Sequence, residues 1–174
     1  MPRSLRLSLR DGTPVLIRPV VPKDKALLKE GLIRLSEHYR YRRFMTPVPD
    51  VTEEQLRYLT EIDYRDHMAW AAFDLSRSEE LGVGVARYIR HEPDRTKAEV
   101  AVPVVDSHLQ RGIGTLLLSV LSRSAAENAI RTFVAYVLAA NTRTLAIFRD
   151  LGATVEPGDG GVMRVEVPAP RRNT

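Results

Sequence analysis

VVDSHLQRGIGTLLLSVL, residues 104–121, joins a valine-rich run to a leucine-rich run through a short polar segment. Gly112 and Gly114 stand just before leucines that recur at the spacing of an amphipathic helix. A helix start exposes unpaired backbone N–H groups and the positive end of the helix dipole, and phosphates bind there. Because glycine lacks a Cβ, a pyrophosphate can approach this backbone closely, and Arg111 and Thr115 would add hydrogen bonds. The stretch therefore predicts a strand, a loop and a helix whose start binds phosphate.

A Gly-x-Gly pattern is also found in dinucleotide-binding folds, in P-loops and in ordinary turns. A dinucleotide fingerprint needs a third glycine, where this sequence has Leu117, and a P-loop needs a lysine, where it has Thr115. An ordinary turn needs nothing more than the two glycines. On the residues alone, a turn and a phosphate site both stay open.

The composition is typical of one globular domain. Of 174 residues, 44% are hydrophobic and 28% are charged, which allows both a core and a solvated surface. The absence of cysteine excludes disulfides and thiolate nucleophiles, and the four scattered histidines lack metal-ligand spacing, so no metal site is predicted. The net charge of +4 favours an anionic partner such as a phosphorylated cofactor or nucleic acid.

The charged start MPRSLRLSLRDG does not fit a secretory signal, and no apolar run reaches the ~18 residues of a membrane span. We expect a cytoplasmic protein with no membrane association.

Hydrophobic periodicity predicts the order β-β-α-α-β-β-β-α-β-α-β. The predicted elements are a hairpin within 5–20, a helix at 22–35, one or two helical turns in 37–45, a helix at 52–61, an antiparallel meander of strands at 68–75, 81–91 and 97–105, a helix at 113–128, a strand at 132–138, a helix capped by Asn141 and ended by Gly152, and a strand at 161–167. These elements make one α/β (α+β) domain at 1–168, with a mixed central sheet and helices on both faces, followed by a frayed tail at 169–174.

The segment RGIGTLLL, placed after a meander and before β-α-β, resembles the GNAT superfamily of acyl-coenzyme A-dependent N-acetyltransferases. The family signature, Gln/Arg-x-x-Gly-x-Gly/Ala, corresponds here to residues 109–114, with Leu109 at the first position. Asn141 and the stretch 148–153 resemble the family's late Asn … Tyr-x-x-x-Gly-Phe pattern. Residues 40–74 and 84–102 are similar to the catalytic domain of bacterial protein lysine acetyltransferases.

The resemblance implies a GNAT-like domain that uses acetyl-CoA as cosubstrate. The cofactor would lie between strands 97–105 and 132–138, which splay apart. Backbone groups of Val102 and Val104 would pair with the pantetheine amides, or the Val104 N–H would instead polarise the thioester carbonyl. The residues expected to hold the diphosphate are Gln110, Arg111, Gly112, Ile113, Gly114 and Thr115. Asn141 either touches the cofactor or only caps its helix.

Glu99 is the candidate general base. Strand alternation puts it on one face with Ala101 and Pro103, and a carboxylate among apolar neighbours has its pKa raised toward neutrality. The residues alone equally allow an edge glutamate that faces solvent or pairs with Arg87. The resemblance implies the catalytic role, since the related lysine acetyltransferases use a glutamate on this strand.

Many relatives carry a tyrosine on the last helix as general acid for the leaving thiolate, and this sequence has Phe148 there. Tyr136 and Tyr88 are the alternatives. A thiol leaves readily, with a pKa of ~8.5 for cysteine, so the departure does not exclude activity.

Three functions follow. The first is transfer of acetyl from acetyl-CoA to a lysine side chain on a protein, with acidic residues of 36–66 (Glu53, Glu54, Glu61, Asp63 and Asp66) attracting the partner. The second replaces that acceptor by a small amine, and the third is a non-catalytic acyl-CoA-binding module. Nucleic-acid binding through RYRR, residues 40–43, has the weakest support, because aromatic residues are not interleaved with the charges in a recognised way. The sequence predicts neither the acceptor's identity nor an oligomeric state.

Overall fold

The computed structural model describes residues 2–34, 51–77 and 80–169, and in these ranges eight strands form one sheet. The strands are β1 (Leu5–Ser8), β2 (Pro14–Pro19), β3 (His67–Asp74), β4 (Leu81–Arg90), β5 (Lys97–Ala101), β6 (Thr132–Leu138), β7 (Thr154–Pro157) and β8 (Val162–Pro168). The helices described are α1 (Lys25–Ile33), α2 (Glu53–Thr60), α3 (Ile113–Glu127) and α4 (Thr142–Asp150). The predicted helical turns at 37–45 lie outside the described residues.

The sheet has the order β1-β2-β3-β4-β5-β6-β8-β7. Its neighbouring strands are antiparallel except β5 and β6, which run parallel. The mixed sheet with an antiparallel N-terminal meander is therefore confirmed.

The period-2 alternation of β3 sends its side chains to two differently covered faces. On one face, Trp70 donates from Nε1 to Ser124 Oγ of α3 at 3.0 Å. On the other, Ala71 and Phe73 line a cavity together with Leu28 of α1. We call these the α3 face and the α1 face. Helices cover both faces, as predicted.

Local signals in the sequence set the helix boundaries. Thr52 and Gln55 form the predicted capping box of α2, with Gln55 N–H donating to Thr52 Oγ1 at 3.2 Å. Asn141 Oδ1 accepts from the Thr144 N–H at 3.2 Å and caps α4. Beyond α4, Gly152 has φ +82, the left-handed conformation that ends helices.

Three boundaries differ from the prediction. The helix expected at 22–35 opens with a 3-10 turn at Pro22–Asp24, and α1 begins at Lys25. The strand expected at 97–105 is shorter in the structure. It pairs with β6 only over residues 97–99 and with β4 as far as Ala101, where β5 ends. Strand β7 was not predicted, because its four residues are mostly exposed and it pairs only with β8.

In the described ranges, none of the helices has the length and apolar character needed to cross a membrane. Ala169, the first residue of the predicted tail, is buried, and its N–H donates to Arg131 O at 2.8 Å. Residues 170–174 lie outside the described residues.

Candidate active site

The parallel strands β5 and β6 separate soon after they meet. They pair only over residues 97–99 and 132–134. Beyond this point β6 stays paired with β8, whereas the chain after β5 stays bonded to β4, with Val85 N–H donating to Pro103 O and Val105 N–H to Val83 O, both at 2.9 Å. The splayed strands expected from the sequence are therefore present.

The opening between β5 and β6, which we call the split, is lined by peptide groups of β5 and its continuation. One register with β4 runs without interruption from Ala98 to Val104. The odd-numbered residues of this stretch bond to β4, so the peptide groups of Val102 and Val104 and the carbonyl of Val100 point to the opposite edge, into the split, whereas the Val100 N–H belongs to the last pair with β6. Pro103 lacks an N–H only on the β4 side, where its carbonyl is the group used. The positions predicted at Val102 and Val104 are thus correctly oriented, and sequence reasoning missed Val100.

The loop before α3 has an unusual backbone. Gln110 and Gly112 have φ of +61 and +90, both left-handed. Gly112 is the N-cap of α3 and provides no side-chain cap, so the first N–H groups of the helix, from Ile113 onward, are not bonded within it. A Cβ added at Gly112 would meet no atom within 4 Å, which leaves open space above these donors. The geometry fits an anion such as a diphosphate.

Gly114 connects this loop to the split. A Cβ placed there would lie 3.8 Å from Val104 Cγ2 and 4.0 Å from Val102 Cγ1. The first turn of α3 therefore lies directly beside the peptide groups that point into the split, and Thr115 is exposed next to it. Predicted diphosphate and pantetheine residues come together in one continuous groove.

Arg111 points to the β1–β2 hairpin. Its Nε donates to Asp11 Oδ2 at 2.8 Å, and its Nη2 lies 2.7 Å from the same oxygen. Hydrogen bonds from the Thr13 backbone and hydroxyl and from Arg111 lower the pKa of Asp11 to about 2. The guanidinium thus ties the loop to the hairpin, and its predicted contact with a diphosphate stays a prediction.

A buried polar cluster supports the same loop and was missed by sequence reasoning. His108 Nε2 lies 2.9 Å from Asp74 Oδ2, and Ser107 Oγ lies 2.8 Å from His108 Nδ1. Ser76 donates to Asp74 from its hydroxyl at 2.6 Å and from its N–H at 2.8 Å. Burial acts to raise the pKa of Asp74, but hydrogen bonds from Ser76 and His108 bring it down to about 2. The cluster joins the end of β3 to the residue just before the loop.

Glu99 lies on the α1 face of β5, at the residue where pairing with β6 ends. Its side chain is exposed, so the burial among apolar neighbours that sequence reasoning assumed is wrong: Ala98 and Val100, the buried residues beside it, face α3. The register places Ile89 opposite Glu99 and Ala101 opposite Arg87, so Arg87 lies diagonally across from Glu99 on the same face. Glu99 stands at the mouth of the split, in contact with solvent.

A second polar cluster flanks Glu99. Lys97, two residues earlier on the same face, donates from Nζ to both carboxylate oxygens of Glu166 at 3.0 Å. Arg164 Nη2 donates to Glu166 Oε1 at 2.6 Å. Hydrogen bonds from Lys97 and Arg164 lower the pKa of Glu166. This charged edge on β5 and β8 had no signal in the sequence, because its partners are 69 residues apart.

The tyrosines considered as general acids differ in position. Tyr88 is fully buried, its hydroxyl donates to Arg65 O at 3.0 Å, and burial raises its pKa to about 12. Tyr136 is 39% exposed on β6, beyond the last residue paired with β5, and lies opposite Arg164 of β8. Phe148 of α4 lines a cavity of about 450 Å³ on the α3 face with Val100. Of the two tyrosines, Tyr136 alone lies beside the split.

The acidic residues expected to attract a partner are largely engaged within the chain. Glu53 and Glu61 pair with Lys25 at 3.1 and 3.3 Å, and Asp66 pairs with Arg90 at 2.7 Å. Residues 36–50 of that segment are not among those described. Where the structure is described, no group of three or more His, Asp or Glu side chains is placed to hold a metal ion.

Comparisons with known proteins place this geometry in a family. A family model described as "Acetyltransferase (GNAT) domain" matches residues 15–154. "Acetyltransferase Pat" of Mycolicibacterium smegmatis is 35% identical over 170 residues, which are 97% of this chain and 50% of that protein, so the chain spans half the length of Pat.

Solved structures agree. The GNAT domain of S. lividans PAT is 29% identical with a TM-score of 0.83, covering 97% of this chain and 99% of that one. A putative acetyltransferase, yncA of Salmonella typhimurium, solved with acetyl-CoA, shares the fold at 17% identity and a TM-score of 0.69, over 92% of this chain and 96% of that one. The chain therefore belongs to the GNAT family of acetyltransferases and is close to the GNAT domain of bacterial Pat proteins.

Proposed function

We propose that this chain transfers the acetyl group of acetyl-CoA to the side-chain amine of a lysine on a protein. The observation that carries the proposal is the set of peptide groups at Val102 and Val104, with the Val100 carbonyl, which aim into a split that leads to the open N–H groups of α3. An extended, amide-bearing chain with a diphosphate at its end matches that arrangement of donors and acceptors.

The pantetheine arm binds as an added strand along β5, since its amides meet the free peptide groups of Val102 and Val104. The diphosphate lies on the N–H groups from Gly112 to Thr115, favoured by the helix dipole. Gln110 and Asn141 lie at the exposed rim of this groove, where they contact the cofactor's polar groups.

Glu99 removes the proton that blocks attack. A lysine amine with a pKa of ~10.4 is neutral in roughly one molecule in a few thousand at pH 7. The Glu99 carboxylate accepts a proton from the ammonium, directly or through water, and its contact with solvent lets that proton leave. The free amine then attacks the thioester carbon at the mouth of the split.

The transfer completes in two bond changes. The new C–N bond forms while the carbonyl oxygen gains negative charge, which the N–H of Val102, the nearest one in the split beyond Glu99, stabilises. The nitrogen then loses its second proton to solvent, the C–S bond breaks, and the coenzyme A thiolate takes a proton from solvent or from Tyr136. The products are an N-acetyl-lysine and coenzyme A.

A protein acceptor is supported by the similarity to Pat and by the exposure of Glu99. A lysine on the surface of another protein extends its amine at the end of a flexible stem and reaches an exposed base without entering the fold.

Two measurements test the proposal. Calorimetry with acetyl-CoA should give a one-to-one complex, and labelled acetyl-CoA offered to a panel of purified proteins and small amines should label protein lysines. Absence of binding would overturn the whole proposal. Binding without transfer would indicate a non-catalytic module, and labelling of small amines alone would replace the acceptor.

A further inference from the structure

A second cavity, of about 70 Å³, lies on the α1 face, between α1 and strands β3 to β5. Its lining is almost entirely apolar and includes Leu28 and Leu32 of α1. It also includes Ala101 and Pro103 of β5 and its continuation. Because one water needs about 10–15 Å³ by such a measure, the cavity accommodates roughly five groups of methylene size.

Among the described residues, two charged side chains line it, and both are already bonded. Asp24 accepts from Arg18 at 2.7 and 2.8 Å and from the Val21 N–H at 2.8 Å. Arg87 donates to Leu59 O at 2.9 Å. An occupant of this cavity therefore meets apolar surface, and apolar cavities of this kind favour apolar ligands over water.

Gly31 keeps the cavity open. It lies inside α1, where glycine is the least favoured residue after proline. Its φ is not positive, and a Cβ added there would meet no atom within 4 Å. Neither backbone conformation nor close packing requires glycine at this position, and the space left by the absent side chain is part of the cavity.

The cavity begins beside the reaction centre. Ala101 follows Glu99 on the same face of β5, at two residues' distance, which is about 7 Å along a strand. In the proposed mechanism the carbon under attack lies in the split beside Glu99, so an alkyl substituent that turns from the split toward the α1 face meets the cavity wall at Ala101.

We propose that this cavity binds the alkyl chain of acyl groups longer than acetyl, so that the enzyme also uses butyryl-CoA and similar short, unbranched acyl-CoA molecules. The inference rests on the proposed function and extends its donor. The bonds that form and break are those of acetyl transfer, and only the alkyl substituent of the acyl carbon changes. The acceptor's lysine stem is the weaker occupant, because it arrives from the solvent side of Glu99.

The experiment compares acetyl-CoA and butyryl-CoA on the full chain and on Gly31→Leu. Each methylene buried is worth about fourfold in affinity, so butyryl-CoA should bind the original chain about tenfold more tightly than acetyl-CoA, by calorimetry. In Gly31→Leu the added side chain occupies the cavity, so this gain should disappear while acetyl-CoA affinity stays within twofold. Turnover with butyryl-CoA should fall in parallel.

Ala26→Leu is the matched control, because Ala26 is exposed on the same helix, and it should keep the butyryl-CoA gain. Gly31→Ala is a second variant in case Gly31→Leu misfolds, since it adds only a methyl group and improves helix propensity. It should reduce in part the tighter binding of butyryl-CoA relative to acetyl-CoA. Equal affinities for the two acyl-CoA molecules, or a gain that survives in Gly31→Leu, would overturn the inference and leave acetyl transfer intact. Failure of acetyl-CoA itself to bind would overturn the proposed function and this inference with it.

Discussion

The two sides of the split present different chemical groups, backbone N–H groups on one side and a side-chain carboxylate on the other. Toward α3, the groups that our proposal directs at the cofactor are backbone N–H groups, held by left-handed residues such as Gly112 and by the buried His108–Asp74 contact. Toward α1, the group that our proposal directs at the acceptor is the exposed side chain of Glu99, flanked by the bonded pair of Lys97 and Glu166. Substitutions on the first side should therefore change binding and stability together, whereas those on the second should change the chemistry and leave stability intact.

The largest expected effect lies on the side-chain side. Glu99→Gln keeps the shape of the residue and removes the proton acceptor, so kcat at neutral pH should fall by about 10²–10⁴-fold. Because Glu99 is exposed, the melting temperature should not change, and the acetyl-CoA dissociation constant should stay within twofold. Steady-state kinetics, calorimetry and thermal melts measure the three quantities.

Glu156→Gln is the control, since Glu156 is an exposed glutamate on β7, and it should leave all three quantities unchanged. If Glu99→Gln turned over at the original rate, the base would have to be sought elsewhere and the division between the two sides would lose its main support.

The next effect is on the backbone side. Asp74→Asn removes the charge that accepts from Ser76 and from His108, and His108 holds the segment before the loop that leads into α3. Lowering of the Asp74 pKa to about 2, from ~3.9 in the unfolded chain, corresponds to about 2 kcal/mol of stability at neutral pH. We expect that loss in urea unfolding at pH 7, together with a raised KM for acetyl-CoA.

The pH dependence gives a sharper test. A lowered pKa stabilises the folded state above the unfolded pKa, and this stabilisation is lost as the pH falls from about 4 to about 2. The difference in unfolding free energy between the original chain and Asp74→Asn should therefore shrink between pH 4 and pH 3. Asp150→Asn, at the exposed end of α4, should show no such difference at any pH. If the difference in unfolding free energy between the original chain and Asp74→Asn stayed constant on acidification, Asp74 would contribute through its shape alone.

A smaller effect is expected at the loop itself. Gly112→Ala places a Cβ on a residue with φ of +90, which costs about 1–2 kcal/mol. If the loop relaxes to relieve this strain, its N–H groups move, and the KM for acetyl-CoA should rise about tenfold with kcat little changed.

Gly152→Ala is a close match, because Gly152 also has a positive φ, +82, and open space where the Cβ would lie. It should lose similar stability without any change in KM. Equal KM values in the two variants would show that the N–H groups of the loop do not bind the cofactor.

Features that depend on residues close in sequence could be predicted, whereas contacts between distant segments could not. The start of α3, the caps of α2 and α4 and the strand faces follow from local spacing, and the structure confirms them. The positions at Val102 and Val104 came from the resemblance to the family, and the single register through this stretch is what turns their peptide groups toward the split.

Contacts between distant segments were beyond such patterns. His108 with Asp74, Arg111 with Asp11, and Lys97 with Glu166 join residues 34, 100 and 69 positions apart. The exposure of Glu99 was misjudged for a related reason. Its neighbours in sequence are apolar, but on a strand they face the other side, and only the covering helices decide how much solvent reaches it.

The smallest effect concerns Asn141, which the sequence assigned both to a helix cap and to the cofactor. Asn141→Ala should lower stability by about 1 kcal/mol through loss of the cap of α4, and Thr52→Ala should do the same at α2, on the other side of the molecule. If Asn141 also contacts the cofactor, only its variant should weaken acetyl-CoA binding in calorimetry, by a few fold beyond Thr52→Ala. Equal affinities in the two variants would reduce Asn141 to a cap, and the cofactor would then be held on that side by backbone groups and the loop before α3.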